Sequence, residues 1–199
     1  MTLTIALAVV AAYVIGSIDF AVIMARMHGV NIHEVGSGNP GASNVLRSLG
    51  RVPAALVLIG DTIKGVIGAA MGMVASGTAD PQIEWAFLCG LAAVVGHCYP
   101  IFHRFRGGKG VATGLGVLFF TVPLVGAIVV ATWLILLKLT KTASISSLIV
   151  VFGAIPLAIW QGVTGMSLLW LLLTVALIVW RHRGNIQRVF KGNEQQVEA

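Results

Sequence analysis

The sequence predicts an all-α protein, a polytopic bundle of transmembrane helices that takes up residues 1–199 as a single domain. Hydrophobic residues make up 57% of the chain and charged residues 10%, whereas charged residues account for roughly 25% of an average soluble domain. The apolar residues are spread over several long runs, and crossing a bilayer takes about 20 of them. The composition therefore excludes a soluble head on a single membrane anchor.

Five apolar runs give the expected helices in chain order. They are Leu3–Met24, Val52–Ala75, Trp85–Phe102, Val111–Leu137 and Thr142–Trp180. The first run begins without Lys or Arg, so it does not resemble a cleaved signal peptide and should remain as a spanning helix. The last run is long enough for nearly two crossings, and turn-forming residues interrupt it at Gln161–Gly165. We therefore expect two helices there.

The run Val111–Leu137 fits either one tilted helix or two short helices hinged at Thr121-Val122-Pro123. Basic residues lie on both sides of it, and these are Arg104, Arg106, Lys109, Lys138 and Lys141. Cytoplasmic loops are enriched in Lys and Arg, so both groups are expected in the cytoplasm. Two short helices meet that condition.

With this division the bundle has seven spans, with the N-terminus outside and the C-terminus in the cytoplasm. The loops assigned to the opposite side contain Asp80 and Glu84 but no Lys or Arg, as the positive-inside rule requires. A bundle of five longer helices is the alternative, and it would place the loop at Lys138 outside.

The first cytoplasmic connection contains a glycine-rich segment, VGSGNPGASNVLR, which ends at Arg47. Its glycines let backbone N–H groups turn toward an anion, and Ala42–Leu49 can begin a helix whose positive end faces the same point. Ser37 adds a hydroxyl donor and Arg47 a bidentate guanidinium group. The other residues expected to bind a phosphate here are Gly36, Gly38, Asn39, Gly41, Ser43 and Asn44. A merely flexible loop is the alternative.

A second glycine-rich turn, Arg106-Gly107-Gly108-Lys109, opens directly into the fourth apolar run. Its backbone donors and its cations can converge on a phosphate at a helix N-terminus, although the spacing is not that of a Walker motif. The alternative is that the basic residues of this turn only anchor the helix at lipid headgroups.

Further polar candidates lie at the last span, inside the second span and before the fifth run. His182 and Asn185 share a helix face, where they either bind a substrate or belong to a basic cluster that sets topology. Lys64 either reaches a phosphate or forms an i, i+3 ion pair with Asp61 inside the membrane. Ser144 either donates to a ligand or caps a helix.

Several other functions receive no support from the sequence. The net charge of +6 is not arranged as a basic stripe with interleaved aromatics, so nucleic acid is not an expected partner. Cys89 and Cys98 match no metal-ligand spacing and should pack in the core. Carboxylates and histidines do not cluster with ligand spacing, so neither a metal nor another cofactor is expected.

The ordered motifs VGSGNPGASNVLR, HCYPIFHRFRGGKGVAT and RHRGNIQR, with the segment Gly60–Gly65, resemble the bacterial acyl-phosphate-dependent glycerol-3-phosphate acyltransferase family, PlsY. The resemblance runs nearly end to end, and Ser43 stands where threonine is expected. It implies transfer of an acyl chain from acyl phosphate to the sn-1 hydroxyl of glycerol 3-phosphate, which gives lysophosphatidate and phosphate in the first step of phospholipid synthesis. It also implies a catalytic site formed by Ser37, Arg47, Lys109, His182 and Asn185.

The chemistry of the residues is compatible with that activity. An acyl phosphate has a good leaving group, so no covalent nucleophile is needed, and no catalytic triad is evident. The cationic residues expected to neutralise the phosphates and the oxyanion are Arg47, Lys64, Arg106 and Lys109. The hydroxyl proton passes either to His182 or to a substrate phosphate, and an obligatory protein base is not expected.

The expected partners are acyl phosphate, glycerol 3-phosphate and membrane lipid, without an obligatory protein partner. The expected location is the bacterial inner membrane, with the active site on the cytoplasmic side. A transporter for an organic phosphate is the main alternative, and a non-catalytic anchor with basic loops is another. The glycine-rich and cationic residues lie mainly at span ends rather than at the midplane, which favours the enzyme over the transporter.

Overall fold

A computed structural model describes residues 3–77 and 82–197, and these residues fold into ten α-helices and a short 3₁₀ turn at Ile101–His103. The helices are α1 (Leu3–Gly16), α2 (Phe20–Met27), α3 (Ala42–Leu49), α4 (Arg51–Ser76), α5 (Gln82–Cys98), α6 (Val111–Thr121), α7 (Pro123–Thr140), α8 (Ala143–Trp160), α9 (Gly165–Arg181) and α10 (Arg183–Phe190). The predicted all-α class is confirmed. Asp80, used above in the topology, lies outside the described residues.

The helix boundaries follow the turn signals of the sequence. α6 ends at Thr121 and α7 begins at Pro123, because proline fits the first position of a helix but not its interior. The last long run is also divided as predicted, between Trp160 and Gly165. One break was not predicted: the first run is interrupted between Gly16 and Phe20, and the side chain of Asp19 accepts a hydrogen bond from Val22 N at the N-terminus of α2.

The helices have the length and composition of an integral membrane protein. Among the described residues, five segments are long and apolar enough to cross a membrane: Leu3–Met27, Arg51–Ser76, Ile83–His103, Pro123–Thr140 and Ala143–Trp160. α9 and α10 give a sixth if the pair, bent by 54°, is one span. α6 is apolar but has only 11 residues, fewer than the roughly 20 of a full crossing. Seven spans and their orientation stay predictions.

Glycines allow α4 and α6 to approach closely at the centre of the bundle. A side chain at Gly65 of α4 would collide with the backbone carbonyl of Thr113, and one at Gly116 of α6 would collide with that of Thr62. Small residues at helix crossings serve this purpose in membrane proteins, because association there depends on van der Waals packing. The contact fixes α6, and with it the preceding loop, against α4.

The polar loops gather at one end of the bundle, which we call the basic end: residues 28–50, 99–110, 141–142 and 182–197. Arg181 donates hydrogen bonds to the carbonyls of Gly107 and Gly108, and Val197 N donates to Lys141 O at 2.7 Å. Lys141 therefore lies at the same end as the C-terminal segment. This agrees with the division of the fourth run into two helices and not with five longer ones.

Candidate active site

A cavity of about 540 Å³ begins at the basic end and extends between the helices. Its polar and glycine lining residues include Ser37, Asn39, Gly41, Ser43, Asn44, Arg47, Arg51, Asp61, His97, Lys109, Ser144, His182, Asn185, Glu194 and Gln195. Its apolar part is lined by residues that include Leu118, Val129, Val150, Leu171 and Val175. The five residues named above as the catalytic site, from three separate segments, thus share one cavity.

Asn44 shapes the loop that carries Ser37. Its side-chain oxygen accepts a hydrogen bond from Ser37 N at 2.8 Å, and its amide nitrogen donates to the carbonyls of Val35 and Ile32 at 3.0 and 3.3 Å. Gly36 has φ +55, and a side chain there would collide with the Asn44 amide, so only glycine fits. Asn44 was predicted to bind a phosphate, but its hydrogen bonds go to the loop. It positions Ser37 instead.

Arg47 and the N-terminus of α3 face the same part of the cavity. The Nη2 atom of Arg47 donates to Ser37 Oγ at 3.4 Å, and Gly41 and Ser43 at the start of α3 also line the cavity. Burial lowers the pKa of Arg47, and attraction to Glu194 opposes that shift. A guanidinium group stays charged in either case, so this wall offers a cation and the positive end of a helix to an anion.

A chain of hydrogen bonds links three segments across the polar end. Lys109 Nζ donates to Asn185 Oδ1 at 2.6 Å, and Asn185 Nδ2 donates to Glu194 Oε1 at 2.5 Å. The same carboxylate oxygen accepts from Ser144 Oγ at 2.9 Å, and Oε2 pairs with Arg188 Nε at 2.8 Å. Glu194 therefore fixes the positions of Asn185 and Ser144, and through Asn185 that of the Lys109 ammonium.

The pKa values of Lys109 and Glu194 depend on burial and on the neighbouring charged and hydrogen-bonding groups. Burial lowers the pKa of Lys109 to about 8, although Glu194 acts in the opposite direction. Burial by itself would raise the pKa of Glu194, but the hydrogen bonds from Asn185, Ser144 and Arg188 outweigh it and lower that pKa. At neutral pH the carboxylate is ionised and the ammonium is mostly protonated.

His182 is fixed in the tautomer whose Nε2 atom can accept a hydrogen bond. Its side chain is almost fully buried at the junction of α9 and α10, and Nδ1 lies 2.8 Å from the carbonyl oxygen of Ile178. A carbonyl only accepts, so Nδ1 carries the proton of the neutral ring and Nε2 keeps its lone pair. A neutral ring in this state offers Nε2 as a hydrogen-bond acceptor to a hydroxyl group.

The second glycine-rich turn is built differently from the prediction. Gly108 N donates to His97 O at 3.1 Å, and the carbonyls of Gly107 and Gly108 accept from Arg181 at 2.7 and 3.0 Å. Neither glycine lines the cavity. The predicted phosphate contacts at Gly107 and Gly108 are therefore corrected: the turn fixes Lys109 at the cavity wall, and Arg181 fixes the turn.

Lys64 and Arg106 are also placed outside the cavity. Lys64 Nζ lies 2.8 Å from Asp61 Oδ1 and 2.8 Å from the carbonyl of Ile18, and the lysine is 2% exposed. This is the i, i+3 ion pair weighed above, not a phosphate ligand. Arg106 is exposed and lines a different pocket. Gly36 and Gly38 shape the first loop but do not line the cavity.

The comparison with known proteins decides the family. The model of the glycerol-3-phosphate acyltransferase family matches residues 6–192. The chain belongs to this family. The acyltransferase is 42% identical over 185 residues to the glycerol-3-phosphate acyltransferase of Pseudomonas syringae pv. tomato, which covers 92% of this chain and 93% of the relative. It is 43% identical to that of Hydrogenovibrio crunogenus, with 94% and 88% covered.

The acyltransferase also matches two solved structures of PlsY, an integral membrane glycerol 3-phosphate acyltransferase. The glycerol 3-phosphate form superposes with a TM-score of 0.89 at 36% identity and covers 98% of this chain and 96% of the other. The lysophosphatidic acid form gives a TM-score of 0.87 at 36% identity, with 96% and 94% covered. The predicted resemblance is confirmed, and it favours the enzyme over the transporter and the anchor.

Sequence reasoning missed Glu194 as a member of the acyltransferase site. An acidic residue in a site expected to hold phosphate is counterintuitive, and nothing in the local sequence of the C-terminal segment shows that it folds back. The available signal was composition: Glu194 follows a strongly basic stretch and therefore had cationic neighbours with which to pair. Arg181, the first residue of the motif RHRGNIQR, holds the second glycine-rich turn.

Proposed function

We propose that this acyltransferase takes its acyl group from an acyl phosphate and transfers it to the sn-1 hydroxyl of glycerol 3-phosphate. The observation that supports this most is the single cavity that joins a cationic polar end to an apolar groove. An acyl phosphate has the same two parts, a dianionic head and an apolar chain. The related structures are described as glycerol 3-phosphate and lysophosphatidic acid forms, which correspond to the acceptor and the product of this reaction.

The cationic groups at the polar end suit two phosphates held side by side. Arg47 and Ser37 approach from one wall with the N-terminus of α3, and Lys109 approaches from another with Asn185. Arginine binds phosphate as a fork, and lysine binds it as a point charge. Holding acceptor and donor in one geometry is the main requirement, because a well-oriented pair reacts far faster than free reactants.

The proposed step needs no covalent enzyme intermediate. The sn-1 hydroxyl oxygen forms a bond to the acyl carbon, and the bond between that carbon and the phosphate oxygen breaks. The leaving phosphate keeps the electron pair, and the hydroxyl proton passes to the phosphate itself or to Nε2 of His182. Lys109 and Arg47 stabilise the developing oxyanion and the leaving phosphate. The products are lysophosphatidate and inorganic phosphate.

We also propose a bacterial inner-membrane location with the cavity mouth on the cytoplasmic side. The basic end carries Lys141 and the C-terminal basic residues together, and cytoplasmic loops are those enriched in Lys and Arg. Glycerol 3-phosphate would enter from water there, and the acyl chain would lie in the groove between α6, α7, α8 and α9.

The test is to give the purified protein in lipid labelled glycerol 3-phosphate with acyl phosphate, acyl-CoA or acyl carrier protein in parallel. We expect labelled lysophosphatidate with acyl phosphate only, and NMR of the product should place the ester at sn-1. Equal product with acyl-CoA, or an sn-2 ester, would contradict the proposal. Inverted membrane vesicles should accept external glycerol 3-phosphate, whereas sealed right-side-out vesicles should not.

A further inference from the structure

A second pocket lies at the basic end and shares no residue with the catalytic cavity. It has a volume of about 580 Å³. Its basic lining residues are Arg26, His33, His103, Arg104 and Arg106. They come from the end of α2, the first loop and the turn after α5, so distant parts of the chain form the concave surface.

The positive charge of this pocket is not neutralised by the protein. None of the guanidinium groups of Arg26, Arg104 and Arg106 has a hydrogen-bond or ion-pair partner within residues 3–77 and 82–197. No Asp or Glu is among the described residues of its lining. The neighbouring acid, Glu34, accepts a hydrogen bond from Asn31. Three arginines that line one pocket without an acidic partner favour an anion as the occupant.

The turn that carries two of these arginines has a costly backbone conformation. Arg104 and Phe105 have φ values of 51 and 59, the left-handed region that residues with a side chain rarely adopt. Hydrogen bonds fix the turn, from Phe105 N to Pro100 O and from Arg106 N to His103 O, both 3.0 Å. Such strain persists where the surrounding structure requires it, often at binding sites. Here it places Arg104 and Arg106 in one pocket.

The pocket lies where two candidate spans end, and its apolar rim is the lining residue Phe102 with Met27, Ile101 and Phe105, which are next to lining residues in sequence. Met27 and His103 are the last residues of those spans. Met27, Ile101, Phe102 and Phe105 are 76%, 51%, 61% and 57% exposed. Arginines beside exposed aromatic and aliphatic side chains at a span end are suited to the boundary between headgroups and acyl chains. The position of the pocket at these span ends corresponds to the lipid headgroup region of a bilayer.

We propose that this pocket binds the phosphate group of an anionic membrane lipid, at a site separate from the catalytic cavity. The shared chemistry is a phosphate ester bound by arginines. A headgroup fits better than a soluble phosphate compound because the apolar rim can contact the acyl chains of the same molecule. Basic pockets between spans on the cytoplasmic side are a known form of lipid recognition.

The test compares lipid retention by native mass spectrometry after titration with phosphatidylglycerol or phosphatidylcholine. The wild type should retain phosphatidylglycerol preferentially, and the double variant Arg26→Gln/Arg104→Gln should bind it about 30-fold more weakly. The control Lys138→Gln/Lys141→Gln removes the same charge from exposed positions outside the pocket, and its affinity should stay close to that of the wild type.

Three other results are informative. Equal losses in both double variants, or no preference of the wild type for phosphatidylglycerol, would overturn the proposal. Competition by millimolar inorganic phosphate, lost in Arg26→Gln/Arg104→Gln, would keep the phosphate site but assign it to a soluble compound. If the double variant does not elute as folded protein, the single variant Arg104→Gln serves in its place, with about a fivefold loss expected.

Discussion

Replacement of Glu194 by glutamine tests whether the C-terminal segment is part of the active site. The carboxylate accepts hydrogen bonds from Asn185, Ser144 and Arg188, and its side chain is 9% exposed. Glu194→Gln keeps the shape, removes the charge and replaces one acceptor with a donor. The substitution should weaken the hydrogen bond that holds the Asn185 side chain, and it removes the negative charge near Lys109.

The expected magnitude follows from the hydrogen bonds. A bond to a charged group contributes about 1.5–3 kcal/mol and a neutral one about 0.5–1.5 kcal/mol, so each of the bonds to Asn185 and Ser144 weakens by about 1 kcal/mol. The pair with Arg188 adds little, because that arginine is 41% exposed and exposed ion pairs are weak. Because the transition state requires Asn185 and Ser144 in place, the total of about 2 kcal/mol corresponds to a decrease of up to roughly 30-fold in kcat/KM.

The pH profile separates this role from a general loss of stability. The pKa of Lys109 is lowered to about 8 by burial, and Glu194 limits the shift. In Glu194→Gln that pKa should fall further, so the high-pH limb of kcat/KM, which reports the free enzyme, should move to lower pH. Glu84→Gln, the same chemical change in the first turn of α5, is the control and should leave rate and profile unchanged. A high-pH limb in Glu194→Gln that coincides with the wild-type limb would refute the assigned electrostatic effect of Glu194 on Lys109.

The remaining predictions concern the cations, the groove and the buried ion pair. In the wild type, kcat/KM should decline as pH rises through about 8, because the ammonium of Lys109 then loses its proton; a flat profile to pH 10 would contradict this. Arg47→Ala and Lys109→Ala should each lower kcat by about 10²–10³-fold with normal insertion, and wild-type turnover in both would refute the phosphate assignment. Ala154→Leu narrows the apolar groove and should shift the kcat/KM ratio toward shorter acyl phosphates by about tenfold, measured by competition between chain lengths. Lys64→Met leaves buried Asp61 with only His97, 3.5 Å away, as a partner and should destabilise the protein by about 3 kcal/mol; thermal unfolding in detergent should show recovery when Asp61→Asn is added.

The elements predicted from the sequence are those that local signals determine. Ala42–Leu49 forms the expected helix, because proline and glycines precede it and no breaker interrupts it. The proline at position 123 divides the fourth run as expected. Donors and cations at helix ends are uncommon in an otherwise apolar chain, and they indicated Ser37, Arg47 and Lys109 as candidates. The full set with His182 and Asn185 came from the family resemblance, and the structure places all five around one cavity.

The incorrect predictions concern hydrogen-bond partners that are distant in sequence. A glycine-rich turn with a nearby cation looks the same whether its N–H groups bind a phosphate or its carbonyls bind an arginine. Gly107 and Gly108 are of the second kind because Arg181, more than 70 positions later in the chain, reaches them. Lys64 donates to the carbonyl of Ile18, 46 positions earlier in the chain, in addition to forming the i, i+3 pair with Asp61 that the sequence offered as the alternative. Local composition contains no information on such partners.

The same long-range contacts explain how a cationic site remains organised without its substrate. Lys109 and Arg47 would repel each other, and burial makes the charge on Lys109 still less favourable. Glu194 reduces both costs, since its carboxylate attracts the two cations and accepts hydrogen bonds from Asn185 and Ser144. The carboxylate comes from a C-terminal segment that is held to the bundle by the hydrogen bond from Val197 to Lys141. The site is therefore assembled only when the segment up to Val197 packs against the bundle, which is why Glu194 belongs to the site.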